Sequence, residues 1–316
     1  MFGRFLDPKN DFAFKKLFGT KKHEDILIHF LNDVLEFADE ATIKEVSFLS
    51  PIQDPEIAAK KESIVDVLCV DQLGRQHIVE MQVAQSKGFI KRAQYYAAKA
   101  YIKQLNKGVD YTKLREVIFL AIADFTMFPE KKDYKSDHII LDKESHEHDL
   151  KDFSFTFLEL PKFQLEIDQL TTMVEKWCYF FKHAATTSSR DLEKIIVNSP
   201  IIKEAFYALD TASWSEEELR TFEQEEKRKR DAEAIQAFKD EKIREESLQK
   251  GIKKGIKKGM EKGMEKGRKE GMEKGRQEGM QVEKLAIAKN LLSKGSDLPF
   301  VAEVTGLSEE ALKALL

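Results

Sequence analysis

In the stretch IVDVLCVDQLGRQHIVEMQ at residues 64–82, three polar side chains lie among the apolar residues on either side of the central polar segment. They are Asp66, Glu80 and Gln82. The apolar residues around them predict two β-strands, at 62–70 and 76–84, with the turn DQLGR between them. A carboxylate in a buried strand costs free energy unless it is paired or binds a cation. These positions therefore point to a chemical role.

The turn decides whether the two carboxylates can act together. With residues 72–74 as a three-residue loop and Gly74 in the left-handed conformation, counting outward places Asp66 opposite Glu80. Directly opposed residues lie on one side of the sheet with Cβ atoms about 5 Å apart, and Gln82 shares that side. A loop one residue longer or shorter would place the carboxylates on opposite faces.

Two carboxylates this close repel each other unless one holds a proton or a cation lies between them. Oxygen ligands from Asp66, Glu80 and the backbone carbonyl of Met81 suit Mg²⁺, or alternatively Mn²⁺, with water and phosphate oxygens in the remaining positions. Gln82 has one acceptor and two donors, with which it can orient an attacking water or hold a scissile phosphate. The residues alone leave a second interpretation open, in which a half-exposed hairpin merely turns these groups to solvent.

Helices and further strands must position this hairpin. Apolar spacing predicts helices in DPKNDFAFKKLFG, HEDILIHFLNDVL and SKGFIKRAQYYAAKAYIKQLNKG, and strands in ATIKEVSFLSP, REVIFLAIADF and FSFTFLELP. The predicted fold class is α/β, a mixed sheet flanked by helices, followed from residue 163 by an all-helical region. At the start of the first helix, Asp11 is expected to act as the cap that accepts backbone N–H bonds.

Composition bounds the remaining possibilities. Most of the 22 Phe residues precede residue 185, which places the main core there, and the net charge of −4 gives a nucleic-acid partner no support from whole-chain electrostatics. Cys69 and Cys178 are the only cysteines, and no pairing is indicated. The sequence has no long apolar run. We therefore expect no signal peptide, no membrane span and a reducing, cytoplasmic location.

At this point the hairpin resembles the core of PD-(D/E)XK nucleases, a restriction-endonuclease-like fold in which an Asp on one strand and a (D/E)-x-K on the next hold the metal. More narrowly, the chain resembles the Rpn family of bacterial recombination-promoting nucleases, also described as transposases. The matching stretches, in family order, are DPKNDFAFKKLFG, FLNDVL, IVDV, HIVEMQ, KRAQYYAAKAY, FLELPKF, EKWCYFF and KGMEKGMEKGRKEGMEKG.

The resemblance implies a Mg²⁺-dependent endonuclease that cleaves DNA and promotes recombination or DNA degradation, with Asp66 and Glu80 as metal ligands. Gln82 stands where such a core usually has Lys, so it can position groups but cannot supply charge. This departure leaves open a catalytically inactive, nuclease-derived DNA-binding or structural module, or a transposase-like protein. The accessory candidates are Asp11, Lys61 and Arg92, and the candidate DNA-backbone contacts are Lys87, Lys91 and Lys99. Each of these basic residues has an alternative interpretation as an ordinary solvated charge.

A glycine repeat dominates the C-terminal part of the chain. Eight glycines recur every fourth residue from Gly251 to Gly279. Each interior Gly opposes helix formation by about 1 kcal/mol relative to Ala. Alone, this segment should be a frayed helix or a flexible charged linker. If ordered, its small residues would let another helix approach closely, so we expect a homo-oligomer through the C-terminal region.

The last residues, LPFVAEVTGLSEEALKALL, have helix-turn-helix spacing, but the second helix would begin with Ser308, Glu309 and Glu310. That acidic start favours a docking unit over a DNA reader. We expect a nuclease-like core at 1–162, a helical region at 163–249, the glycine-repeat linker or helix at 250–281 and a small helical tail at 282–316. In the Rpn family such tails are linked to regulation, including by short forms of the same gene. The internal methionines at which such a form could start are Met260, Met264 and Met272.

Overall fold

The computed structural model describes residues 3–53, 63–105, 108 and 110–316. The chain divides into two compact units, Met1–Asp231 and Ala232–Leu316. A six-stranded mixed sheet forms the centre of the first unit, in the order β1-β4-β5-β6-β8-β7. Its strands are β1 (Val46–Phe48), β4 (Val67–Asp71), β5 (Gln76–Gln82), β6 (Val117–Ala123), β7 (Lys135–Ile139) and β8 (Phe153–Glu159). A separate antiparallel pair joins β2 (Ile52–Gln53) and β3 (Ser63–Ile64).

Parallel pairing joins β5 to β6 and β6 to β8, whereas β1, β4 and β7 are added by antiparallel pairing. Every residue of β6, which lies in the predicted strand REVIFLAIADF, is buried, as is typical of a central strand covered on both faces. The predicted α/β class, a mixed sheet flanked by helices, is confirmed.

The turn between β4 and β5 has the predicted geometry. Gly74 adopts a left-handed φ of 83°, its N–H donates to the carbonyl of Asp71 at 2.9 Å, and Leu68 lies opposite Ile78. A Cβ added at Gly74 would lie 3.2 Å from Cγ of Arg115, so both conformation and space favour glycine there. The register predicted by counting is confirmed.

The prediction of one continuous strand over 62–70 is wrong, because the chain changes partner within it. Ile64 pairs with Ile52 in the small sheet, whereas Val67 pairs with Val79 in the main sheet. Asp66 lies at this change, just before β4, so its backbone N–H is free of the strand ladder and donates to a side chain instead.

Helices cover both faces of the sheet. The core on one face includes buried residues of α1 (Asp11–Phe18), α2 (Glu24–Leu35), α4 (Met173–His183), α5 (Ser189–Ile195) and α6 (Pro200–Ala208). The other face packs against α3 (Phe89–Ile102), whose buried residues are Phe89, Ala93, Ala97 and Ala100. Leu68 and Ile78 belong to the α3 side. Because side chains alternate along a strand, Glu80 and Gln82 point to that side too.

The expected cap of α1 is wrong by one residue. Asn10 caps the helix, accepting from the N–H groups of Phe12 and Ala13, and Asp11 is the first helical residue. The amide of Asn10 also donates to Oε1 of Glu226 at 2.9 Å, so it connects the start of α1 to α7 (Glu216–Ser293). An amide can accept from the helix and donate to a partner at the same time, whereas a carboxylate can only accept.

The helix α7 continues without a break through the glycine repeat, in contrast to the frayed or flexible form expected of an isolated segment. The interleaved charges supply part of the reason, since ion pairs at i,i+4 stabilise a helix by about 0.3–0.5 kcal/mol each. Within the repeat, such pairs are Lys269–Glu265 at 2.8 Å, Lys266–Glu270 at 3.7 Å and Lys274–Glu278 at 3.9 Å. Self-association through the repeat stays a prediction.

The tail contains α8 (Leu298–Thr305) and α9 (Glu309–Lys313), which pack with the end of α7 around Ala288, Val301 and Leu312. Gly306, at a left-handed φ of 66°, ends α8. Across the described ranges, no helix has both the length and the apolar character needed to cross a membrane.

Both cysteines are free and lie in the first unit's core. Burial raises the pKa of both thiols, that of Cys69 to about 12.

Candidate active site

The structure brings Asp66 and Glu80 together across the two strands. The N–H of Asp66 donates to Oε1 of Glu80 at 3.2 Å, and the N–H of Met81 donates to Oδ2 of Asp66 at 2.8 Å. Each carboxylate thus accepts a backbone hydrogen bond from the opposite side of the hairpin. Glu80 is only 3% exposed. The half-exposed hairpin with polar groups turned to solvent is therefore not what the structure contains.

The electrostatics of the pair disfavour two negative charges. Burial, followed by the charge of Asp66, raises the pKa of Glu80 to about 8. Burial also raises the pKa of Asp66, against the lowering effect of the Met81 N–H and of Lys15. A cation bound to both carboxylates would offset this cost, so the site favours positive charge.

The backbone of Met81 offers a third oxygen at the same place. In a strand, the N–H and C=O of one residue point to the same edge, and the Met81 N–H points to Asp66. The Met81 carbonyl therefore points out from the edge of β5 beside which Asp66 lies. No group of three or more His, Cys, Asp or Glu side chains suited to a metal occurs among the residues described. Two carboxylates and a carbonyl nevertheless fit Mg²⁺, which is usually held by one or two carboxylates and retains several waters.

A hydrogen-bonded chain leads from the carboxylates to α3. Nε2 of Gln82 donates to Oε2 of Glu80 at 3.0 Å, and Nη2 of Arg92 donates to Oε1 of Gln82 at 2.5 Å. The guanidinium carbon of Arg92 lies 5.0 Å from the ring centre of Phe89, so the two side chains make a cation–π contact. Gln82 is thus fixed at both ends, and a permanent positive charge lies one side chain beyond it.

Lys15, which the sequence analysis missed, reaches the same site from α1. Its Nζ lies 3.5 Å from Oδ1 of Asp66 and 2.7 Å from Oδ1 of Asp11. Burial lowers the pKa of Lys15, but the hydrogen bond to Asp11 and the charge of Asp66 outweigh it, and the net direction is upward. Asp11 therefore acts on the site through its ion pair with Lys15 and through its charge, which helps to raise the pKa of Asp66. The i,i+4 spacing of Asp11 and Lys15 on an apolar helix was the available signal.

The remaining sequence candidates are four lysines. Lys61 is outside the described residues. Lys87, in the segment before α3, and Lys91, in the first turn of α3, are exposed, whereas Lys99 is partly buried near the end of that helix. Their contact with a DNA backbone stays a prediction.

Comparison with known proteins identifies the family of the chain. A family model described as PD-(D/E)XK nuclease family transposase matches residues 8–237, a range that includes Asp66, Glu80 and Gln82. A second model, described as the C-terminal HTH domain of the Rpn/YhgA-like nuclease family, matches residues 281–316. No curated protein and no solved structure matched. The resemblance predicted from the sequence is thus confirmed, and the chain belongs to the PD-(D/E)XK nuclease family transposases, with an Rpn/YhgA-like HTH domain at its C-terminal end.

Proposed function

We propose that the protein is a Mg²⁺-dependent endonuclease that hydrolyses DNA phosphodiester bonds at Asp66 and Glu80, with Mn²⁺ as an alternative ion. The observation that carries the proposal is the pair of carboxylates, Glu80 buried and Asp66 half-buried, which are linked by hydrogen bonds across the hairpin and whose pKa values are both raised. Such a pair favours a bound cation, and the family is one of nucleases.

Each residue of the cluster has a distinct part in this proposal. The side-chain oxygens of Asp66 and Glu80 and the carbonyl of Met81 would hold the ion. When bound, Mg²⁺ lowers the pKa of a coordinated water and offsets charge on the phosphate. Gln82, fixed between Glu80 and Arg92, orients the attacking water or the scissile phosphate. Arg92 supplies the positive charge that a glutamine at this motif position cannot.

We infer that DNA is the substrate because the family that matches residues 8–237 is described as one of nuclease transposases, and transposases act on DNA. Within the tail, α9 begins with Glu309 and Glu310. An acidic first turn repels phosphate, so we propose that the tail docks protein, another copy of the chain or a regulatory short form, rather than reading bases. Promotion of recombination or DNA degradation belongs to the same proposal.

The test is cleavage of supercoiled plasmid by the full chain in Mg²⁺, Mn²⁺ or EDTA. We expect nicked and linear products with either metal and none in EDTA. Asp66→Asn and Glu80→Gln, which keep side-chain shape, should each lower the rate at least 100-fold, whereas exposed Glu130→Gln should not change it. Thermal unfolding of each variant checks that the fold is retained.

The same experiment decides between the two functions that Gln82 leaves open. If the parent protein binds plasmid in a gel-shift assay but cuts it with neither metal, it is a nuclease-derived binding module. If both carboxylate variants cut as fast as the parent, the nuclease has its site elsewhere.

A further inference from the structure

A cavity of about 590 Å³ lies on the α3 side of the candidate site. Its walls come from residues 85–91 and Gln94, which include the first turns of α3, and from Phe125 and Met127 in the loop after β6. This volume lies within the range of about 300–1,000 Å³ that is typical of small-ligand sites.

The cavity shares two structural elements with the carboxylate cluster. Phe89 lines the cavity, and its ring supports the Arg92 guanidinium that binds Gln82. On the other wall, Phe125 follows Asp124, whose N–H donates to the carbonyl of Gln82 at 2.9 Å. A group in the cavity would therefore lie beside the residues that flank the metal ligands.

The chemistry of the lining fits a nucleotide. Among the described residues that form the walls none is acidic, whereas Lys87 and Lys91 are basic and both are exposed. Phe125 is only partly buried. Its ring makes an edge-to-face contact with that of Phe89, and the two ring centres are 6.3 Å apart. A second cavity of the same unit, of about 320 Å³, has acidic as well as basic residues in its walls, with Asp25 and Glu204 beside Lys16 and Lys22.

We propose that the cavity beside α3 binds one unstacked nucleotide of the DNA strand, with its base against Phe125 and its phosphate near Lys87 and Lys91. This inference rests on the proposed function, because the nucleotide would adjoin the phosphodiester held at Asp66 and Glu80. A base in duplex DNA must leave its stack to reach such a site, at a free-energy cost that a single strand avoids. The enzyme should therefore prefer single-stranded or unpaired DNA over a fully paired duplex.

The test measures binding in EDTA, where no cleavage occurs, by fluorescence anisotropy of a labelled 20-nucleotide single strand and of its duplex. We expect the full chain to bind the single strand at least tenfold more tightly. Phe125→Ala should weaken single-strand binding about tenfold, within the range measured for loss of a base-stacking aromatic, and duplex binding less than twofold. Tyr111→Ala, at an aromatic residue that is 82% exposed outside the cavity, is the matched control.

Further variants separate the ring from its bulk. Phe125→Leu keeps apolar volume without the ring and should behave like Phe125→Ala, whereas Phe125→Trp should bind like the parent. This comparison also decides the matter if Phe125→Ala is unstable. Equal affinity for both DNA forms, or unchanged single-strand binding by Phe125→Leu, overturns the inference.

Failure of the inference differs from failure of the proposed function. A protein that cuts plasmid but shows no single-strand preference retains the nuclease proposal and loses the cavity proposal. A protein with the preference and the Phe125 effect that never cuts with Mg²⁺ or Mn²⁺ retains the nucleotide site and loses the nuclease proposal.

Discussion

Replacing Glu80 by Gln should lower the stability of the protein at mildly acidic pH and raise it at alkaline pH. Gln has nearly the same shape and keeps an oxygen for the Asp66 N–H, but it is neutral at every pH. Its amide would meet the Nε2 donor of Gln82, which now donates to Oε2 of Glu80. The variant should therefore lose one hydrogen bond, about 1 kcal/mol, independently of pH.

The pH-dependent part follows from the raised pKa of Glu80, about 8 against an ordinary value of 4.5. The folded state holds this proton more tightly than the unfolded chain does. The stabilisation is therefore complete below pH 4.5 and is lost as pH rises towards 8. The two pKa values differ by 8 − 4.5, or about 3.5. At about 1.36 kcal/mol for each pKa unit, the stability lost between low and high pH is at most about 5 kcal/mol. Because Asp66 is 14% exposed, water screens its charge, and we expect the parent to lose about 2–4 kcal/mol of stability over this pH range.

The assay is urea unfolding in EDTA at pH 5.0 and pH 8.5, followed by tryptophan fluorescence. Both tryptophans, Trp177 and Trp214, are buried in the first unit, so the signal reports the unit that contains the site. We expect the free energy of unfolding of Glu80→Gln to lie less than about 1 kcal/mol below that of the parent at pH 5.0, because the unfolded chain already begins to lose this proton above pH 4.5, and about 1–3 kcal/mol above it at pH 8.5. The exposed control Glu130→Gln should follow the parent at both.

Two results would refute this reasoning. One is a constant difference between parent and variant across the pH range, which would mean that Glu80 titrates alike in folded and unfolded chains. The other is a variant that loses more stability than the parent as pH rises.

Four further outcomes follow from the same contacts. At pH 8.5, Mg²⁺ should raise the melting temperature of the parent by several degrees and that of Glu80→Gln by much less; equal shifts would place the ion elsewhere. Arg92→Ala should slow plasmid nicking about 100-fold and Arg92→Lys less, and similar rates for the two would contradict a role for the charge. Gly74→Ala, at φ 83°, should lower the unfolding free energy by about 1–3 kcal/mol in urea titrations, whereas an unchanged midpoint would show that the turn tolerates a side chain. Asn10→Ala should lower the unfolding free energy by about 1–2 kcal/mol in the same assay, and Asn10→Ser by less, because serine still caps α1. Equal losses for the two variants would mean that Asn10 stabilises the protein through its hydrogen bond to Glu226.

The hairpin could be predicted because its determinants are local. Strand parity and the left-handed turn at Gly74 together place Asp66 opposite Glu80, and both are visible in about twenty consecutive residues. The burial of that face could not be predicted from the hairpin itself. It depends on α3 and β6, which come later in the chain.

The positive groups around the carboxylates were harder to identify. Arg92 follows Lys91, and the apolar stripe of α3 alone does not say which of two adjacent basic residues reaches the sheet. Lys15 is separated from Asp66 by about fifty residues, so its contact depends on the packing of α1 against the sheet. The cap was predicted one residue late because Asn and Asp are equally good caps, and the contact of Asn10 with Glu226, more than two hundred residues away, is not visible in the local sequence.

The two buried thiols make the protein convenient for site-specific labelling. Maleimides and similar reagents attack accessible thiolates, and neither Cys69 nor Cys178 offers one in the folded chain. A cysteine introduced at an exposed position such as Ser86 would then be the reactive site under native conditions. A fluorophore could thus be attached at the rim of the α3 cavity without removing either native cysteine, and DNA arrival could be followed in real time.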